Sequence, residues 1–300
     1  MKSPFDSAHF ARRSQRVARL TLGAALVLAA LGSVVGCRHK PRQRSASASS
    51  AASAHVPQLA PLAANSWLIE LDVDGFGKAA LAVPLGAREP RPIVIALHGA
   101  ADRPEWACGA WRGIAGPRPF VLCPRGALRS DFPAPDLRYT FGTTEATAAE
   151  LRAGLTALKR EFGAHVASGG VVFAGFEVGA DRAAAIAFQE PTFFSRLALI
   201  DPAPDTWPSS QSALFGRAGG ERVLFGSGPA DRTAAGFRAV LTRRGGADAR
   251  ALFLGSDDSG LGPSAVSQLA RVWPWLGAPV ARRAPPENLA GNPLAAKRPE

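Results

Sequence analysis

The chain has 300 residues, 47% of them hydrophobic, enough for one large domain or two small ones around a sizeable core. Its net charge of +11 lies mainly at the ends: residues 1–44 carry nine Lys/Arg against one acid and residues 281–300 carry four against two, which leaves +1 for the 236 residues between. Nucleic-acid binding needs a basic face on a fold, so a charge confined to a leader and a tail argues against a nucleic-acid partner.

In chain order, Arg12, Arg13, Arg16 and Arg19 precede an uncharged run from Leu20 to Gly36. That run is too short and too rich in alanine for a membrane-spanning helix, and residues 1–36 read as a signal peptide. The run ends Val34-Val35-Gly36-Cys37, which resembles the bacterial lipobox. The resemblance implies lipidation of Cys37, attachment to a membrane through that lipid, and residence in the cell envelope on its periplasmic or outer-surface face. Arg38, Lys40, Arg42 and Arg44 follow, then "SASASSAASA", which has no apolar face to bury. Residues 37–65 are therefore expected to be a flexible tether, and residues 281–300 a disordered tail.

From residue 66 to 280, short aliphatic runs alternate with helical patterns. The predicted strands are Trp67 to Val73, Ala79 to Val83, Pro92 to Leu97, Phe120 to Cys123, Gly170 to Ala174, Leu197 to Ile200, Arg222 to Phe225 and Ala251 to Leu254. The predicted helices are Thr144 to Phe162, Gly179 to Gln189, Arg232 to Arg244 and Pro263 to Trp275; in the first, Leu151, Leu155, Leu158 and Phe162 build one apolar stripe. The first two strands lack an intervening helix and read as a hairpin. The rest imply right-handed crossovers, hence one α/β domain with a doubly wound, mostly parallel sheet of about eight strands. Cys108 and Cys123 lie close in sequence, and an exported domain meets an oxidising compartment; a disulfide and two buried thiols are both open.

Ligands of such sheets bind beyond the carboxyl ends of the strands. The loops there read "ALHGAAD" after the third strand, "LCPRGA" after the fourth, "AGFEVGA" after the fifth, "FGSGPADR" after the seventh and "FLGSDDSGLG" after the eighth. In order and spacing these resemble the α/β-hydrolase family, particularly its secreted esterase and depolymerase-like members, over nearly all of residues 66–280. The resemblance implies an oxyanion hole built from backbone N–H groups near Gly99 or Ala100 together with Val178, and a strained turn at Gly175 to Gly179. It places the nucleophile at residue 177, the acid at Asp231 and the histidine near residue 261.

The residues at those places depart from the family. Position 177 is glutamate, position 261 is leucine, and the five histidines are His9, His39, His55, His98 and His165, so none follows residue 165. A serine nucleophile needs a base, and the base an orienting partner; the serine and the base are both missing. The reading is a catalytically silent hydrolase fold, anchored through lipid, that binds a small ligand or an envelope protein. Glu177 lies at a helix N-terminus, where an anion is favoured, and its carboxylate is expected to plug the former oxyanion hole. The alternative is an ester hydrolase with non-standard machinery around Glu177, His98 and Asp231, although a Leu-His-Gly histidine can equally hold its own loop by hydrogen bonds. Neither a cofactor nor a metal is expected, since one histidine among scattered carboxylates, including Asp257-Asp258, has no ligand spacing. Trp106, Trp111, Phe141, Phe176 and Trp207 are expected near the loop face, and Trp273 and Trp275 in the core.

Overall fold

The computed structural model describes residues 58–228, 231–255 and 261–278. The leader, Cys37, Asp257-Asp258 and residues 281–300 lie outside the described residues. Residues 58–65, assigned to the tether on sequence grounds, pack on the domain: the N–H groups of Leu59 and Leu62 donate to Arg88 O and Ala87 O, both at 2.9 Å, and Leu62 is buried. An apolar side chain with a place in the core is not tether.

The strands are β1 (Leu68–Leu71), β2 (Ala79–Ala82), β3 (Ile93–Leu97), β4 (Phe120–Cys123), β5 (Ala127–Leu128), β6 (Tyr139–Thr140), β7 (Val172–Phe176), β8 (Arg196–Ile200), β9 (Arg222–Ser227) and β10 (Asp248–Phe253). Eight of them form one sheet in the order β1-β2-β4-β3-β7-β8-β9-β10, while β5 and β6 make a separate small ribbon. The β1–β2 pair is antiparallel, as is β2–β4; from β4 to β10 every pair is parallel. Parallel strands buried on both faces should be apolar throughout. Accordingly β3, β4 and β7 are buried at every position.

The helices are α1 (Pro104–Ala115), α2 (Thr144–Phe162), α3 (Val178–Gln189), α4 (Ser209–Arg217), α5 (Arg232–Arg244) and α6 (Pro263–Gly277). Alternation along β3 separates two cores. Ile93, Ile95 and Leu97 face Leu151, Leu155 and Leu158 of α2, Ala180 and Ala184 of α3, and Ala235 and Ala239 of α5. Val94 and Ala96 face Cys108, Trp111 and Ile114 of α1 and Leu269 and Leu276 of α6. Helix α2 starts where Thr143 accepts the Ala146 N–H at 3.2 Å, a side-chain cap for an otherwise orphaned donor.

Cys108 on α1 and Cys123 at the end of β4 form a disulfide, with Cα atoms 5.9 Å apart. The bond ties α1 to the sheet beneath it. Among the described residues no helix is long and apolar enough to cross a membrane.

Candidate functional site

Among the described residues, three that are not glycine have positive φ: Ala101 (53°), Glu177 (49°) and Asp201 (47°). They follow the carboxyl ends of β3, β7 and β8, which are neighbours in the sheet. A left-handed backbone costs a residue with a Cβ about 1–3 kcal/mol, and such strain clusters at functional sites. Its concentration at three adjacent strand ends marks the site from the backbone alone.

Glu177 occupies the sharp turn between β7 and α3, with φ 49° and ψ −122°. Its N–H donates to Ile200 O at 2.9 Å, and the Asp181 N–H returns to Glu177 O at 3.1 Å, so the turn is fixed on both sides. The turn needs glycine at its ends. A Cβ on Gly175 would stand 2.6 Å from the Ala180 nitrogen, and one on Gly179 would stand 2.6 Å from Leu97 O. Helix α3 can thus approach β3 only because residue 179 has no side chain.

From this turn the Glu177 carboxylate leans toward the loop after β3. A Cβ on Gly99 would lie 2.8 Å from its Oε2 and 3.0 Å from the Phe176 ring. The Ala100 amide hydrogen-bonds the carboxylate and favours its charged form. Burial outweighs that effect and pushes the Glu177 pKa up, and the charges of Asp201, Asp102 and Asp181 push the same way. The residue remains exposed to solvent because it borders an open cavity of about 460 Å³. Gly99, Ala100, Asp102, Trp106, Phe176 and Leu261 line that cavity with it. Positions 177 and 261 therefore face one space, together with the Gly99-Ala100 loop. Val178, the other expected donor, follows Glu177 as the first residue of α3.

His98 does not join them. Its ring is buried, with Nδ1 2.8 Å from Gly99 O and Nε2 2.9 Å from Arg125 O, and it packs on Phe141 with centroids 4.4 Å apart. Each ring nitrogen faces a carbonyl oxygen, to one of which a neutral ring donates its single N–H, so the imidazole is held between the loop after β3 and the loop after β4. Buried Glu150 holds that second loop from the other side, accepting the N–H groups of Arg125 at 2.8 Å and Gly126 at 3.0 Å. The remaining described histidine, His165, contacts Ala60 O at 2.9 Å.

Asp231 does not join them either. It stands at the start of α5, and its Oδ2 accepts from Arg238 at 2.6 Å. Arg238 is buried, and its Nη2 donates to Pro204 O at 3.1 Å. A carboxylate neutralising a buried guanidinium has a structural task that explains its place.

The carboxylates near Glu177 that sequence reasoning missed are Asp201, Asp102 and Asp181, of which Asp201 acts on it most strongly. The Asp201 backbone N–H donates to Gly226 O and its Oδ1 accepts from the Gly228 N–H, both at 2.9 Å. Asp181 lies on the far side, accepting from the Ala203 N–H at 2.9 Å and from the Thr206 hydroxyl. The available signal was positional: Asp201 directly follows the strand ending at Ile200, and the loop there matches none of the family's motifs. Of the expected loop-face aromatics, Trp106 and Phe176 line the cavity, whereas Trp111 and Trp207 are core. Among the described residues, no three His, Cys, Asp or Glu side chains converge to hold a metal ion.

No family model and no curated protein matches the sequence. Solved structures do match. The chain is similar to TT1662 from Thermus thermophilus, with a TM-score of 0.50 and 16% identity over 71% of this chain and 98% of that one. It is similar to an S-formylglutathione hydrolase from Agrobacterium tumefaciens (0.49, 17%, 73% and 98%) and to an esterase from Pyrobaculum calidifontis (0.49, 18%, 70% and 84%). The strand order and the likeness to TT1662 show an α/β fold built on a doubly wound, mostly parallel eight-stranded sheet.

Proposed function

We propose that this is a lipid-anchored protein of the bacterial envelope whose α/β-hydrolase fold serves binding rather than ester hydrolysis. The observation that carries the proposal is the Glu177 carboxylate, which sits in the nucleophile's turn and lies against Gly99 and Ala100, where a hydrolase of this fold would receive an oxyanion. An anion there opposes the charge that an acyl-transfer transition state develops. Asp102, Asp181 and Asp201 deepen the negative field around it. With no histidine after residue 165, the loop that would supply the general base of a serine hydrolase of this fold holds none.

Against the enzymatic alternative, His98 lies between two backbone carbonyls and Asp231 pairs with Arg238, which supports the binding reading. Anchoring rests on Cys37 and its preceding run, and it assigns the folded domain to the membrane surface through residues 38–57. Two measurements test the reading. The full chain, treated with a serine-directed fluorophosphonate probe and with p-nitrophenyl butyrate, is expected to show neither labelling nor turnover above background; either result would overturn the silent assignment. Metabolic incorporation of an alkynyl fatty acid is expected in the native chain and absent in Cys37→Ala, and equal labelling of the two would remove the anchor.

A further inference from the structure

At the opposite end of the sheet, the starts of β3, β7 and β8 open onto a second cavity of about 920 Å³, twice the volume of the first. Its wall is largely apolar, with Pro92, Ile93, Pro119, Val172 and Trp273 among the lining residues. Into this wall the chain sets Arg196, the first residue of a central parallel strand and only 8% exposed. An apolar residue is the expected occupant of such a position.

The Arg196 guanidinium is held by backbone carbonyls and has only a long ion pair, at 3.9 Å, with a carboxylate. Its Nη1 donates to Gly277 O at 3.1 Å and Ala278 O at 3.5 Å, carbonyls at the negative end of α6. Its Nε is buried and has no hydrogen-bond partner among the described residues; the nearest carboxylate, Glu221, is 3.9 Å away. A second guanidinium, Arg222, stands at the start of the next strand and donates to Ala278 O at 2.8 Å. Burial disfavours the Arg196 cation, Glu221 favours it and Arg222 opposes it. The space for the side chain is itself built in, because any Cβ on Gly170 would collide with Arg196 Nη2. A buried cation lacking a full counter-charge is costly and is expected to be completed by an anion.

We infer that this cavity is a binding site for a small amphiphilic monoanion, a medium-chain carboxylate whose head pairs with Arg196 and whose apolar body lies against Val172 and Trp273. One buried guanidinium suits a monoanion, Glu221 disfavours a dianion, and the apolar wall needs a hydrocarbon part. The site lies at the far end of the strands from Glu177 and is independent of the function proposed above.

The test is calorimetric titration of the full chain with sodium octanoate and, separately, with 1-octanol. Octanoate is expected to saturate one site and octanol to bind at least tenfold more weakly. Arg196→Met should weaken octanoate at least tenfold while leaving octanol unchanged. Should that variant fail to fold, Thr192→Trp, at an exposed residue of the cavity lining, fills the space without disturbing the core and should abolish binding of both. Absence of saturable octanoate binding, equal affinity for octanol, or unchanged octanoate affinity in Thr192→Trp would overturn the assignment.

Discussion

Glu177 combines a strained backbone with a carboxylate set among three others. Because its pKa is raised in the fold, the folded protein holds the Glu177 proton more tightly than the unfolded chain does. Its contribution therefore favours folding at pH values below the ordinary carboxylate range and is lost as the pH rises through the raised value. Glutamine keeps an acceptor for the Ala100 amide and carries no charge. The melting temperature of the native protein, relative to Glu177→Gln, should fall as the pH rises from 4 to 7, and a rising difference would contradict the burial argument. Asp231 behaves otherwise. Asp231→Asn should cost about 1–3 kcal/mol in denaturant unfolding, because it leaves buried Arg238 short of its charged acceptor. If the variant were as stable as the native chain, the structural role assigned to Asp231 would be wrong.

Among the elements, the strand–turn–helix from β7 to α3 has the narrowest tolerance. Gly179→Ala should destabilise by about 1–3 kcal/mol, since the new methyl meets the backbone carbonyls of Leu97 and His98 rather than flexible side chains. Gly109→Ala is the contrasting case, because a Cβ there meets nothing within 4 Å; thermal melts of the two variants should separate clearly. The disulfide closes a separation of 15 residues, for which chain entropy gives about 3 kcal/mol; Cys108→Ser with Cys123→Ser should lose an amount of that order. The elements also show what periodicity can reveal. Helices α2 and α5 coincide with their predicted spans, because each keeps its helical pattern around a single glycine, Gly154 and Gly236. Helix α1 was missed although Ala107, Cys108, Trp111 and Ile114 share a face, since Gly109 and Gly113 read as breakers. Gly113 has a tertiary reason: a Cβ there would stand 3.0 Å from Val266 on α6, so glycine lets the two helices close on each other. Helix α4 was missed because it is short and polar, with only Ser212 and Phe215 buried.

For the molecule as a whole, the sheet was legible because strand runs and turn motifs agree, and five loops in order fix which strand ends meet. The site was legible in part. Glu177, Leu261, Gly99 and Ala100 were found through loop order and do share one cavity. Asp201 was overlooked because its loop has no motif, and its place depends on a backbone angle that sequence does not print. Asp231 was chosen because Gly228-Pro229-Ala230-Asp231 has the right pattern, yet the buried partner that claims it, Arg238, lies a helix turn or two beyond and reads in sequence as a surface charge.

The most direct measurement restores both missing groups at once. Hydrolysis of p-nitrophenyl butyrate should be followed for the native chain and for the Glu177→Ser, Leu261→His double variant, with fluorophosphonate labelling in parallel. The account predicts a silent native chain and a measurable, saturable rate with labelling at residue 177 in the double variant. Turnover or labelling by the native chain above background would contradict it.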